Sequence, residues 1–222
     1  ILIDDAGYND FGFMGSKEMQ TPNIDALTSE GVVFTDAHVA ATVSSPSRAC
    51  LITGRYGHRF GYECNLSDRT NGLPLEEETI AEVFKTNGYR TAAIGKWHLG
   101  SRDEQHPNNR GFDLFYGMKA GGRDYFYNEK KSDRPGDERN LLLNDRQVKF
   151  EKYLTDAFSE KAVEFINESS QPFMMYLAYN AVHTPMQATD EDMAKFEGHP
   201  RQKLAAMTYA LDRGVGTVIR GL

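Results

Sequence analysis

Short apolar runs separated by stretches of helical period recur along the chain, and that alternation narrows the possible folds more than any other feature. Ile1-Leu2-Ile3, Val32-Val33-Phe34, Thr91-Ala92-Ala93-Ile94 and the near-continuous apolar run 173–179 have the length of strands. Thr21-Pro22 is an N-cap followed by a first-turn proline, opening a helix that Gly31 ends. Pro46 suits the first turn of a second helix that Gly54 stops. Residues 76–87 set Ile80, Val83 and Phe84 on one face, with Gly88 as the stop. Residues 153–167 do the same with Phe158, Ala162, Phe165 and Ile166, and 201–222 form a last helix. Strands alternating with helices predict an α/β fold whose largely parallel sheet is flanked by helices. Only 101–146 lacks periodicity. It is rich in Gly, Asn, Asp and Arg with interspersed aromatics, and is expected to form a binding surface.

The 222 residues can bury a sizeable core and are read as a single domain. The first residues fall inside a strand and the last on an uncapped helical pattern, so the chain is expected to be a domain cut at both ends, with any leader peptide upstream. No apolar run reaches the roughly 20 residues that a membrane helix needs. A net charge of −7 without a basic tract argues against non-specific nucleic-acid binding, though a locally cationic pocket could still take an anion. Cys50 and Cys64 are too few for a disulfide framework, and Cys50 is expected to be a small buried side chain.

Three predicted strand ends carry polar groups: Asp4 and Asp5, then Lys96 and His98, then His183. Open α/β sheets bind ligands beyond the carboxyl ends of their strands, so these residues are expected to converge. Two adjacent carboxylates in one site repel unless a cation lies between them, and their hard oxygens suit calcium or magnesium; capping a turn is the alternative. Lys96 and His98, two apart, would face the same side of an extended segment. Ser44 falls just ahead of the second helix, where unpaired amides and the macrodipole favour an anion, and Arg48 adds a fixed charge one turn on. Trp97 is expected to pack, and His38, His58 and His199 to be structural, while His106 is a candidate for substrate contact.

The string Ser44-x-Pro46-Ser47-Arg48, continued by Leu51-x-Thr53-Gly54-Arg55, resembles the signature of the type I sulfatases. Asp4-Asp5-x-Gly7-Tyr8 resembles the family's metal-binding opening, Gly95-Lys96-Trp97-His98-Leu99-Gly100 its second signature, and His183-Thr184-Pro185 its His-x-Pro segment. Thr21-Pro22-Asn23-Ile24-Asp25 and Arg110-Gly111-Phe112-Asp113 extend the likeness over nearly the whole chain. The resemblance implies an alkaline-phosphatase-like sandwich and hydrolysis of sulfate esters. It further implies oxidation of the first signature residue, here Ser44, to formylglycine. The hydrated aldehyde carries two hydroxyls: one attacks sulfur, and the other, once deprotonated, expels sulfate as the aldehyde re-forms. Ser44 is either the serine-type residue of the family or a replacement for cysteine.

By the same resemblance Asp4, Asp5 and Ser44 hold Ca2+, with Mg2+ as the alternative. Lys96 contacts sulfate, His98 helps deprotonate the hydrate, and His183 donates a proton to the leaving alcohol. Arg48 joins Lys96 and His183 in neutralising the sulfate. The implied partners are a sulfated sugar, an N-acetylhexosamine sulfate among the options, and a formylglycine-generating maturation enzyme. Location in the periplasm, at the cell surface or outside the cell goes with that. The segment Arg123-Asp124-Tyr125-Phe126-Tyr127 would suit stacking on a sugar ring. A further metal-binding Asp-Asn pair and a second sulfate-binding Lys have their expected places beyond Leu222. Two alternatives stand beside this: a phosphate or phosphonate monoester hydrolase of the same superfamily, and a non-catalytic module that holds sulfated glycans.

Overall fold

The computed structural model of the chain describes residues 1–65, 72–128 and 136–222. Its helices are α1 (Pro22–Glu30), α2 (Ser44–Thr53), α3 (Ile80–Thr86), α4 (Leu154–Glu168), α5 (Asp190–Ala194) and α6 (Gln202–Arg220). Its strands are β1 (Arg90–Lys96), β2 (Leu114–Met118), β3 (Leu142–Leu143), β4 (Arg146–Gln147) and β5 (Phe173–Ala178). They form one sheet in the order β4-β3-β2-β1-β5. The three long strands run parallel, with Ala93 opposite Phe115 and Tyr176, while β3 and β4 add an antiparallel edge.

Side-chain alternation on β1 divides the core in two. Ala92 and Ile94 face one layer, where Phe158 and Phe165 of α4 meet Leu211, Val215 and Val218 of α6. Ala93 faces the other, with Ala49 and Ile52 of α2, Phe112, Phe115 and Trp97. Each fully buried Phe, Leu, Ile or Val contributes about 1.5–3 kcal/mol, so the large side chains on either side supply most of the burial around the small Ala92 and Ala93. Gly95 has no substitute at its place: φ is 107°, and a Cβ would stand 1.9 Å from the Ala178 carbonyl oxygen. The two strands that deliver the site's groups can therefore approach closely. The result is the expected α/β sandwich with helices on both faces of a mixed, mostly parallel sheet.

Several elements depart from expectation. The run Ile1-Leu2-Ile3 makes a single parallel bridge, Leu2 to Ala178, and Ile1 is exposed. Val32-Val33-Phe34 forms no strand and is exposed. In α3, Ile80 and Val83 are exposed and Ala81 is the buried residue, so the helix is shorter and packs on a different face. It begins at a capping box, Thr79 with Glu82, rather than at Glu76. Thr21 does not cap α1 through its side chain; its hydroxyl accepts from Gly12 N–H and donates to Asp25. The aperiodic stretch 101–146 contributes β2, a central strand hidden by its glycine and aromatic content. Residues 129–135 of that stretch lie outside the described residues.

Candidate active site

The carboxyl ends of β1 and β5 and the start of α2 meet at one point, beside residues 1–5, which bend at Asp4 and Asp5. Asp4 is fastened to the turn after β5 by its own backbone, which donates to Ala181 O at 2.9 Å and accepts from Val182 N–H at 2.7 Å. Val43, extended, serves as N-cap without a side-chain bond, so Ser44 is the first residue of α2 rather than the residue before it. Its hydroxyl oxygen accepts from Arg48 Nε at 3.0 Å, one helical turn on, and lies 3.1 Å from His98 Nδ1.

Arg48 ties the cluster together. Only 2% of its side chain is exposed, and Nη1 donates to Lys96 O and to the Tyr176 hydroxyl while Nη2 lies 3.4 Å from Asp4 Oδ1. Lys96 Nζ, wholly buried, donates to Asp4 Oδ2 at 2.5 Å. Burial, then the Arg48 charge, holds the Lys96 ammonium below its ordinary pKa against the pull of Asp4. Burial first, then Lys96 and Arg48, lowers His98 to about 3, so its ring is neutral at pH 7. A neutral ring beside a hydroxyl that already accepts from Arg48 can take that hydroxyl's own hydrogen on Nδ1. On the other side, His183 Nδ1 donates to Thr184 O at 2.6 Å, which turns Nε2 toward Asp5, 3.7 Å away.

The structure thus brings Ser44, Arg48, Lys96, His98 and Asp4 into one bonded network and sets Asp5 and His183 beside it as a second pair. A cleft of about 260 Å3 is lined by Asp4, Asp5, Thr42, Ser44 and Arg48. Two buried cations face one buried carboxylate, a balance suited to an anionic ligand. Asp4, Asp5 and Ser44 offer the hard oxygens that calcium and magnesium take. The fit is right in kind and short in number: the described residues contain no group of three His, Cys, Asp or Glu arranged to hold a metal, and calcium takes six to eight oxygens.

Four residues of this site escaped the reading of the sequence. Ser45 Oγ bonds the His98 carbonyl and the Tyr62 hydroxyl, both at 2.7 Å, Asn65 accepts from Ser45 N–H, and Tyr176 accepts from Arg48. Ser45 thereby holds His98 at a φ of 57°, a left-handed conformation uncommon for a non-glycine residue. Other expectations are corrected. His106 is buried, edge-on to Phe115 and bonded to Asn144 O, so it cannot reach a substrate. Tyr125 is wholly buried against Tyr153, and Arg123 is buried over Phe150, which leaves Phe126 the most exposed of the proposed sugar-stacking segment. Trp97 packs on Phe112 and Cys50 is buried, as expected.

The sulfatase family model matches residues 1–222, the whole chain. The chain belongs to the sulfatase family. Mouse arylsulfatase G is 37% identical over 218 residues, covering 85% of this sulfatase chain and 41% of that protein. Human N-acetylgalactosamine-6-sulfatase is 31% identical over 207 residues, covering 85% and 40%. A crystal structure of Ps i-CgsB in complex with k-i-k-neocarrahexaose superposes with a TM-score of 0.93 at 43% identity, covering 100% of this chain and 53% of that one. The sulfatase chain therefore spans about two fifths of these curated relatives and about half of the solved neighbour.

Proposed function

We propose that this chain carries the catalytic centre of a hydrolase that cleaves the sulfate monoester of a sugar, releasing inorganic sulfate. The observation that carries the reading is the single hydrogen-bonded network joining Ser44, Arg48, Lys96, His98 and Asp4. In it Lys96 and Arg48 supply the fixed charges that neutralise a bound sulfate in a site largely withdrawn from water. Ser44 is the residue to be oxidised, and the formylglycine made from it supplies a hydroxyl nucleophile and an internal route for expelling sulfate. His98, neutral and within 3.1 Å of the position-44 oxygen, takes a proton there. His183, with Nδ1 held by Thr184 O, presents Nε2 to protonate the departing sugar oxygen. Asp4 and Asp5, with the position-44 oxygen, would contribute to holding a divalent cation, calcium for preference. Its charge would add to that of Lys96 and Arg48 on the sulfate.

The 43% identical neighbour is described in complex with a neocarrahexaose, which favours sulfated galactan oligosaccharides over N-acetylhexosamine sulfates as the substrate class. A maturation enzyme that oxidises Ser44 and a place in the periplasm or at the cell surface complete the proposal. The test is mass spectrometry of the Ser44 peptide after co-expression with a formylglycine-generating enzyme. Turnover of an aryl sulfate, an aryl phosphate, a sulfated neocarrabiose and N-acetylgalactosamine 6-sulfate is then compared. Loss of two hydrogens at residue 44 with turnover of the sulfates is expected. An intact serine, or phosphate turned over much faster than sulfate, would overturn the reading in favour of a glycan-binding module or a phosphomonoesterase.

A further inference from the structure

The site's two histidines come from different strand ends, 85 positions apart in sequence, and neither ring is held by its own turn alone. One short segment touches both. Residues 120–125 follow β2 and lie against His98 at Gly121 and against His183 at Gly122. A Cβ on Gly121 would stand 2.7 Å from both Cε1 and Nε2 of His98. A Cβ on Gly122 would stand 3.2 Å from His183 Cε1 and 3.3 Å from its Nδ1. The paired glycines therefore lay bare backbone against one imidazole and then the other, so that a methyl at residue 121 would force the His98 ring to shift and one at residue 122 would press the His183 ring by a few tenths of an ångström.

The same segment is anchored to the turn that carries His183. The Tyr125 hydroxyl lies 2.8 Å from both Asn180 O and His183 O, in a fully buried position where its ring stacks on Tyr153. Asn180 Nδ2 donates to Arg123 O, Tyr125 N–H donates to Gln187, and Gln187 donates to Asp124. At the other end, His98 N–H donates to Lys119 O. A strap bonded at both ends and packed on both rings fixes where each ring can turn.

We propose that Gly121, Gly122 and Tyr125 are positioning residues that set the two imidazoles against the residue-44 oxygen and the leaving group. Gly121 acts on His98, and Gly122 and Tyr125 act on His183. This rests on the hydrolase reading only for its catalytic consequence, because the placement of the rings can be observed in the unmatured protein. Displacing a reacting group by about 1 Å costs about 100-fold in rate.

Two measurements test it on the full chain. The first is the imidazole 1H–15N spectrum at fixed pH of the Ser44 protein and of Gly121→Ala, Gly122→Ala and Tyr125→Phe. Gly121→Ala should move the His98 resonances and spare His183; Gly122→Ala and Tyr125→Phe should move His183 and spare His98. The second is kcat and KM of the matured proteins on an aryl sulfate, where kcat should fall by up to about 100-fold in Gly121→Ala and by less in Gly122→Ala and Tyr125→Phe, with KM changed by less than about twofold. Tyr125→Phe keeps the ring and removes only the hydroxyl, so it serves even if an alanine variant fails to fold. Unmoved rings in all three variants would overturn the proposal. So would displacement of all six histidines together, exposed His38 and His58 included, in Tyr125→Phe. A wild-type protein that matures but turns over no sulfate ester would refute the hydrolase reading instead, and the spectra alone would then decide the positioning.

Discussion

Replacing Arg48 by lysine keeps the charge at the centre of the site and removes the planar fork, so it isolates what the guanidinium geometry contributes. Arg48 engages Ser44 Oγ, Lys96 O, the Tyr176 hydroxyl and Asp4 Oδ1 from three nitrogens. An ammonium on a flexible stem can satisfy about two of those four partners at once. Two lost charge-assisted hydrogen bonds at about 1.5 kcal/mol each give a destabilisation of about 3 kcal/mol. For a chain of this size each kcal/mol lowers the melting midpoint by about 2–4 °C, so the expected fall is about 6–12 °C. The assay is paired thermal and urea unfolding of wild type and Arg48→Lys under identical ionic conditions. A midpoint within 2 °C of wild type (a change below about 1 kcal/mol) would refute the claim that the fork, and not merely the charge, organises the site.

Asp212 of α6 is buried and accepts from Asn23 N–H, Asn23 Nδ2 and Ile24 N–H at the start of α1. Asp212→Asn turns an amide toward those donors and should cost about 2 kcal/mol, with faster amide exchange across α1; unchanged exchange would contradict it. Burial, then Lys119, lowers the pKa of His106 against its bond to Asn144 O and the charges of Asp103 and Asp145. The folded protein keeps that ring neutral while the unfolded chain binds a proton near the ordinary 6.5. Its contribution is therefore complete above pH 6.5 and is lost as pH falls from 6.5 toward the lowered folded value; unfolding free energies of His106→Gln should show a shallower slope in that window. Calcium at 100 times its dissociation constant should raise stability by about 2.7 kcal/mol, reversibly on chelation. Asp5→Asn should abolish that gain and leave the metal-free midpoint near wild type, since Asp5 is exposed and asparagine tolerates its φ of 59°.

Local chemistry makes much of this site legible in the sequence. Ser44, Arg48, Lys96 and His98 sit in short strings whose spacing is set by one helix turn or one strand end, and Asp4, Asp5 and His183 follow apolar runs. Ser45, Tyr62, Asn65 and Tyr176 were invisible for a matching reason. Each acts across 17 or more positions, or 128 in the case of Tyr176 and Arg48, and the pattern around it looks like ordinary core or loop. The sugar-stacking expectation fails at Tyr125 for a similar reason. An aromatic cluster looks the same in sequence whether it faces solvent or, like Tyr125, closes the core.

The residues alone determined the α/β class, the strand ends that bear polar groups and the identity of those groups, because periodicity, capping and turn chemistry are local. Only the tertiary structure decided that β2 lies inside the sheet, that Val32-Val33-Phe34 pairs with nothing described, and that Lys96 reaches Asp4 across 92 positions. Strand order, and the distance between groups on different strands, follow from which apolar faces bury against which. That is a property of the whole chain's packing, and no window of its sequence contains it.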